Sequence, residues 1–224
     1  MNICPLCHGV ELLTYHQDRK RSYQQCQTCQ LVSVPSEFYL SAEAEKAEYD
    51  KHENHADDLG YQTFLNRTLE PLLSRVSTSA QGLDFGCGEG KALSLMAKAR
   101  GYQIDNYDLY YANNPETLAR QYDFITLTEV IEHVSGAAGL LTQLDRLLKP
   151  NGILAVMTKR VQDKIAFAHW HYKNDPTHIN FYAEATFEWI AHHYGWRLEI
   201  IDKDVVFLHK GRHKEMHKGI HQSS

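Results

Sequence analysis

Leu83-Asp84-Phe85-Gly86-Cys87-Gly88-Glu89-Gly90 carries an apolar strand end directly into a turn with glycine at every second position. A helix pattern follows from Lys91 to Ala97, and Gly101 stops it. Gly86 and Gly88 let the backbone turn tightly and lie flush against a ligand, because no Cβ intervenes. The first N–H groups of the helix then face the same space unpaired and favour a negative group such as a carboxylate. A glycine turn alone is a weak signal, since many loops carry one. Its surroundings make it specific.

A second strand-like run, Tyr102 to Tyr107, ends in Asp108. An acidic side chain at that tip is placed to accept hydrogen bonds from ribose hydroxyls, as in dinucleotide folds. A third apolar run, Phe124 to Leu127, leads into Thr128-Glu129-Val130-Ile131-Glu132-His133-Val134. A fourth, Gly152 to Met157, follows the helix ending Leu147-Leu148-Lys149-Pro150-Asn151-Gly152. This strand–helix alternation predicts a parallel sheet covered by helices.

These four stretches resemble the class I S-adenosylmethionine-dependent methyltransferases over roughly residues 60–210. A dinucleotide dehydrogenase more often shows G-x-G-x-x-G. The resemblance implies an α/β, Rossmann-like sheet, mostly parallel with an antiparallel C-terminal hairpin, and S-adenosylmethionine as cofactor. It implies that Asp84 helps hold the methionine end, that the backbone of Gly86, Gly88 and Gly90 passes along the cofactor, and that Asp108 accepts from the ribose. Cys87, inside the turn, is expected to line the site as a small apolar residue rather than as a nucleophile. Glu129 sits where such sheets bind ligands and faces either the cofactor ammonium or the substrate; a solvated strand tip is the plainer alternative. Glu132-His133 resembles a Glu-His pair found there in many small-molecule methyltransferases.

One spacing departs from the family. Only 15 residues lie between Asp108 and Phe124, where the family's pattern of a helix, a strand and another helix needs well over twice as many. The outer third strand is therefore expected to be missing or vestigial, and the adenine to rest against Leu109, Tyr110 and Val130.

The chain has 224 residues, enough for one medium domain and a small appendage, and 43% hydrophobic residues suffice for a core. No apolar run is long enough to span a bilayer and Met1-Asn2-Ile3-Cys4 is no signal peptide, so a soluble cytoplasmic protein without membrane partners is expected. Five cysteines in an odd number argue against a disulfide framework. Cys4-Pro5-Leu6-Cys7 and Cys26-Gln27-Thr28-Cys29 instead form two C-x-x-C knuckles at the spacing of a structural zinc site. Four thiolates close a tetrahedron on Zn2+ and leave no open position. The expected organisation is a zinc ribbon over 1–34, a helical lid or linker over 35–80, the cofactor-binding domain over 81–210, and a disordered basic tail over 211–224. Tyr49 and His52 are lid candidates, with a plain solvated helix as the alternative.

The stretch from Thr158 to Tyr182, after the fourth strand run, is the expected substrate wall. Trp170, His171 and Tyr182 supply aromatic surface and an imidazole there. His178 is the candidate general base for a hydroxyl acceptor, because Asp175-Pro176-Thr177-His178 resembles a substrate-loop segment of some O-methyltransferases; a purely structural His178 is the alternative. The expected function is methyl transfer to a small molecule, with oxygen favoured. An RNA methyltransferase reading through the ribbon is opposed by the net charge of −5. A non-catalytic cofactor-binding scaffold is the third reading. Nothing in the sequence fixes an oligomeric state.

Overall fold

The computed structural model describes residues 3–51 and 55–211. His52 and the His/Lys repeat beyond Gly211, two features singled out in the sequence, lie outside them. His209 and Lys210, where that repeat begins, close the last strand: His209 Nε2 lies 2.7 Å from Glu199, and Lys210 Nζ donates to the Leu148 carbonyl at 3.0 Å.

The chain opens with a hairpin, β1 (Leu12–Gln17) and β2 (Ser22–Cys26), followed by β3 (Val32–Ser33). Asp18 Oδ1 fixes the hairpin turn by accepting from the N–H groups of Lys20 and Arg21. Helix α1 (Ala42–Tyr49) starts at Ser41, whose hydroxyl caps the Ala44 N–H. Helix α2 (Leu59–Leu73) is capped by Asp58 and buries Leu65, Leu69, Leu72 and Leu73 along one stripe.

The large sheet is built from β4 (Gln81–Phe85), β5 (Gln103–Tyr107), β6 (Tyr122–Thr128), β7 (Leu148–Met157), β9 (Arg197–Ile200) and β10 (Val205–His209). Its order is β5-β4-β6-β7-β10-β9. The first four strands run parallel and β10 pairs antiparallel with both β7 and β9. Helices α3 (Ala92–Ala99), α4 (Ala137–Leu147) and α6 (Glu184–Tyr194) connect them. No strand lies outside β5 among the described residues; a 3-10 turn, Pro115–Ala119, stands where the short Asp108–Phe124 connection left no room for one.

Alternation along the strands sends Leu83, Phe85, Ile125 and Leu127 to one face and Ile104, Phe124, Ala155 and Phe207 to the other. The first face also packs Cys4, Cys26, Cys29 and Leu31, so the N-terminal segment shares the main core.

A second sheet fuses the N-terminal hairpin to the segment after β7. Its order is β1-β2-β3-β8, where β8 is Asn180–Phe181. Between β7 and β8 lie α5 (Lys164–Ala168) and a 3-10 turn, His171–Asn174. Tyr15, Tyr23, Phe167, Tyr172 and Phe181 form the aromatic core of this junction.

Candidate functional site

The carboxyl ends of β4, β5 and β6 meet at one crevice. At β4, Gly86 takes φ +78° and its N–H donates to the Tyr107 carbonyl at 2.7 Å. A Cβ there would stand 2.3 Å from a Val130 methyl, so the turn and the segment after β6 close on each other only with glycine at that position. Gly88 also has positive φ, and a Cβ on it would meet nothing within 4 Å. This stretch of backbone borders open space. Helix α3 begins beyond it at Lys91, without a side-chain cap, so its first N–H groups are available to an anion.

Asp108 ties the two strand ends together. Its Oδ2 accepts from the Gly88 N–H at 3.0 Å, and its Oδ1 from the N–H groups of Tyr110 and Tyr111 at 2.9 and 3.1 Å. Asp84 is buried and accepts from the Thr126 hydroxyl at 2.8 Å. Burial pushes its carboxyl up to about 7, with the nearby Asp108 charge adding to the effect. Burial also pushes the Cys87 thiol up to about 12, which keeps it neutral and unreactive. Leu109, next in chain to Asp108, is exposed.

Next to the crevice lies a cluster of acids, imidazoles and a tyrosine. Glu129 follows β6 with φ +52°, its N–H held by the Met157 carbonyl. The Tyr172 hydroxyl sits against Glu129 Oε2 at 3.2 Å, against Thr158 Oγ1 at 3.2 Å, and in a very short contact with Glu132 Oε1. One hydroxyl proton cannot satisfy two carboxylates; the Thr158 hydroxyl beside Glu132 and the Lys159 charge near Glu129 offset part of the mismatch. Burial raises Glu129 to about 8, helped by the Glu132 charge, and raises Glu132 to about 7. Their other oxygens, Glu129 Oε1 and Glu132 Oε2, are buried and bonded to nothing.

The two imidazoles are oriented alike. His133 Nδ1 faces the Thr177 carbonyl at 3.2 Å and His178 Nδ1 faces the Tyr172 carbonyl at 2.7 Å, with the rings 4.6 Å apart. A carbonyl opposite Nδ1 requires the proton there, which leaves Nε2 as the electron-pair donor. Burial, with His133 beside it, lowers His178 to about 4, so it is neutral at ordinary pH. One ligand atom from each of Glu132, His133 and His178 lies within 4.8 Å of the others. Imidazoles locked through Nδ1–H to a carbonyl, beside unsatisfied carboxylate oxygens, form a donor set suited to a divalent cation.

Helix α1 folds over this side. Glu45 accepts from the hydroxyls of Tyr49 and Tyr110 at 2.7 and 3.0 Å, and the Tyr49 ring stands edge-on to His133 at 5.3 Å. Tyr182 is fully buried, its hydroxyl donating to the Ile131 carbonyl, while His171 is exposed. Trp170 packs 5.1 Å from the Tyr172 ring. Tyr172, rather than Trp170, His171 or Tyr182, is thus the aromatic residue of this segment that reaches the acids. Its neighbours in sequence are equally aromatic, so composition could not single it out.

The four remaining sulfurs form a separate centre. Cys4 and Cys29 Sγ are 3.5 Å apart, Cys7 and Cys26 Sγ 3.4 Å, and all four lie within 4.8 Å of one another. Each knuckle is closed by a left-handed residue, His8 or Gln30, whose N–H donates to the Cys4 or Cys26 carbonyl. A Cβ on Gly9 would stand 3.2 Å from Cys7 Sγ and 3.3 Å from Cys26 Sγ, so glycine keeps the approach to the sulfurs clear. Soft donors in this number and grouping fit a tetrahedral metal.

The strand order, the glycine crevice and the acid at the second strand tip define the class I S-adenosylmethionine-dependent methyltransferase fold. Residues 60–200 match the methyltransferase domain family, and the chain belongs to it. Among curated relatives, the ubiquinone biosynthesis O-methyltransferase of Nitrosococcus oceani is 32% identical over 84 residues, which are 38% of this chain and 36% of that protein. The protein of the same name from Erwinia tasmaniensis is 29% identical over 84 residues and is matched over 35% of its length. The chain therefore aligns with little more than a third of these relatives. Among solved structures, the 1,6-didemethyltoxoflavin-N1-methyltransferase of Burkholderia thailandensis superposes with a TM-score of 0.52 at 14% identity, over 91% of this chain and all of that one. Human N-acetylserotonin methyltransferase, solved with S-adenosylmethionine, gives 0.52 at 14% identity, over 76% of this chain and 57% of its own. At such identities the likeness is one of fold. No helix among the described residues is long and apolar enough to cross a membrane.

Proposed function

We propose that this protein transfers a methyl group from S-adenosylmethionine to a hydroxyl oxygen of a small molecule, with the acceptor seated at the Glu129–Glu132–His133–His178 cluster. The observation that carries this reading is adjacency: the glycine turn packs on Val130, next in chain to Glu129, whose cluster holds carboxylate oxygens without partners and two imidazoles oriented through Nδ1. When bound, the cofactor supplies an electrophilic methyl on a sulfonium. The chain's own residues position and desolvate. The turn at Gly86 and Gly88 and the α3 N-terminus hold the methionine end, Asp108 the ribose, and Leu109, Tyr110 and Val130 flank the adenine. Glu129 Oε1 faces the cofactor ammonium or a cation.

A hydroxyl attacks well only after losing its proton. Neutral His178 takes that proton at Nε2; a divalent cation, were it held by Glu132, His133 and His178, would instead supply Lewis-acid stabilisation of the deprotonated hydroxyl. The unsatisfied oxygens and the fixed imidazole tautomers favour the cation. The names of the curated relatives support an O-linked acceptor, and a phenol is the natural probe. The four-cysteine centre holds a structural Zn2+, separate from the chemistry because a full thiolate shell offers substrate no position.

Labelled methyl transfer into a cell extract, fractionated into small molecules, RNA and protein, tests the acceptor class. Label in the small-molecule fraction is expected; label in RNA would overturn the reading. Electron paramagnetic resonance of Mn2+ added to zinc-loaded protein tests the cation. A bound signal lost in Glu132→Gln is expected, and no bound Mn2+ would leave His178 as the base.

A further inference from the structure

The geometry points to Arg21, on the N-terminal hairpin, as a positioning residue for the acceptor loop: its clamp shapes the acceptor half of the site, while the glycine turn of the cofactor half is held by β5. This rests on the function proposed above for that loop.

Arg21 is buried, yet its guanidinium meets no carboxylate directly. It donates instead to three backbone carbonyls of one loop: Lys173 at 2.5 Å, Asp175 at 2.7 Å and Pro176 at 3.2 Å. Its Nε donates to the Tyr23 hydroxyl, which in turn donates to Asp18 at 3.1 Å. Lys173, itself buried, completes the joint by an ion pair with Asp18 at 3.0 Å. A planar fork with five N–H donors is the side chain that can gather carbonyls converging from one curled segment.

The clamped residues lie directly between the two that matter. Tyr172, whose hydroxyl bridges the acids, precedes Lys173, and His178 follows Thr177. On its other side the loop is pinned by the Glu132 carbonyl, which accepts from the N–H groups of Ile179 and Asn180 at 2.9 Å. The loop is therefore held between ribbon and β6 segment, and only the Arg21 side comes from outside the methyltransferase sheet. The glycine turn hangs on β5, through Tyr107 and Asp108. Losing the clamp should disorder the acceptor side alone.

Hydrogen exchange of the full-length, zinc-loaded chain tests this in Arg21→Met, which keeps the stem and removes the donors. Amides of residues 172–180 should exchange at least about tenfold faster, while those of 81–90 stay unchanged and S-adenosylmethionine affinity by calorimetry stays within about twofold. Methyl transfer to 3,4-dihydroxybenzoate, the probe phenol, should fall in kcat by at least about a hundredfold, with partial recovery in Arg21→Lys. If the wild type does not methylate the probe, the exchange pattern alone decides, and the failure falls on the proposed acceptor. Unchanged exchange over 172–180, or equal acceleration over 81–90, would overturn the inference. Should Arg21→Met not fold, Tyr23→Phe removes one anchor of the clamp and should show the same pattern to a smaller degree; no change there would overturn it equally.

Discussion

Asp84 shows how one side chain reports on its surroundings. Folding moves its carboxyl from about 4 in the open chain up to about 7, through burial first and the Asp108 charge second. Between those values the folded protein keeps a proton that the unfolded chain releases, so stability without cofactor falls as pH rises. The loss amounts to at most roughly 1.4 kcal/mol per pH unit. Asp84→Asn should flatten that slope in urea unfolding measured from pH 4 to 7; an unchanged slope would mean that Asp84 is already ionised. Tyr172 carries a different load, because its proton lies between two acids. Tyr172→Phe should bind S-adenosylmethionine normally and lose roughly a hundredfold in kcat, as judged by steady-state kinetics. Asp84, Asp108 and Glu129 stand out in the sequence as acids at strand ends, and His178 as an imidazole in the segment after β7; the structure gathers them around the candidate site. Tyr172 does not stand out, since its role depends on a loop curvature that Arg21 imposes from a distant part of the chain.

Among elements, the turn after β4 is the least forgiving. Gly86→Ala would place a Cβ 2.3 Å from Val130 and force an alanine to φ +78°. Strain and overlap together should cost about 3 kcal/mol, read as a lowered melting temperature and loss of cofactor affinity. Gly86→Ala combined with Val130→Ala should recover stability only in part, because the overlap is relieved and the backbone strain is not. Strand periodicity made β4, β5, β6, β9 and β10 visible in advance, and the short Asp108–Phe124 spacing gave away the absent outer strand. The pairing of β3 with β8 was invisible: two residues on each side carry no period, and the pairing is set by tertiary packing around Tyr23 and Phe181.

For the molecule as a whole, the N-terminal hairpin is part of the main body. Its cysteines pack in the same core as β4 and β6, and its strands complete a sheet with β8. Stripping the proposed zinc, or making Cys29→Ser, should therefore lower the melting temperature of the entire chain in one transition, followed by calorimetry. A separate low-temperature transition, with the main one unmoved, would show the ribbon to be an independent unit. Spacing of the knuckles pointed to the four-cysteine cluster, but sequence offered no sign that the hairpin beside it joins the 173–176 loop, because those contacts run from Arg21 to backbone carbonyls, which carry no sequence signature.

The outermost strand, β5, has a border that related sheets would cover with a neighbour. Here Asp105 stands on that margin, paired with Arg120 at 3.3 Å and accepting from the Tyr122 hydroxyl at 3.0 Å, with Asn106 beside it. Charge and amide groups along a bare β-rim discourage another chain from stitching itself on. A sheet that dispenses with a strand inherits this obligation, and Asp105 with Arg120 is a charged pair of the kind that meets it.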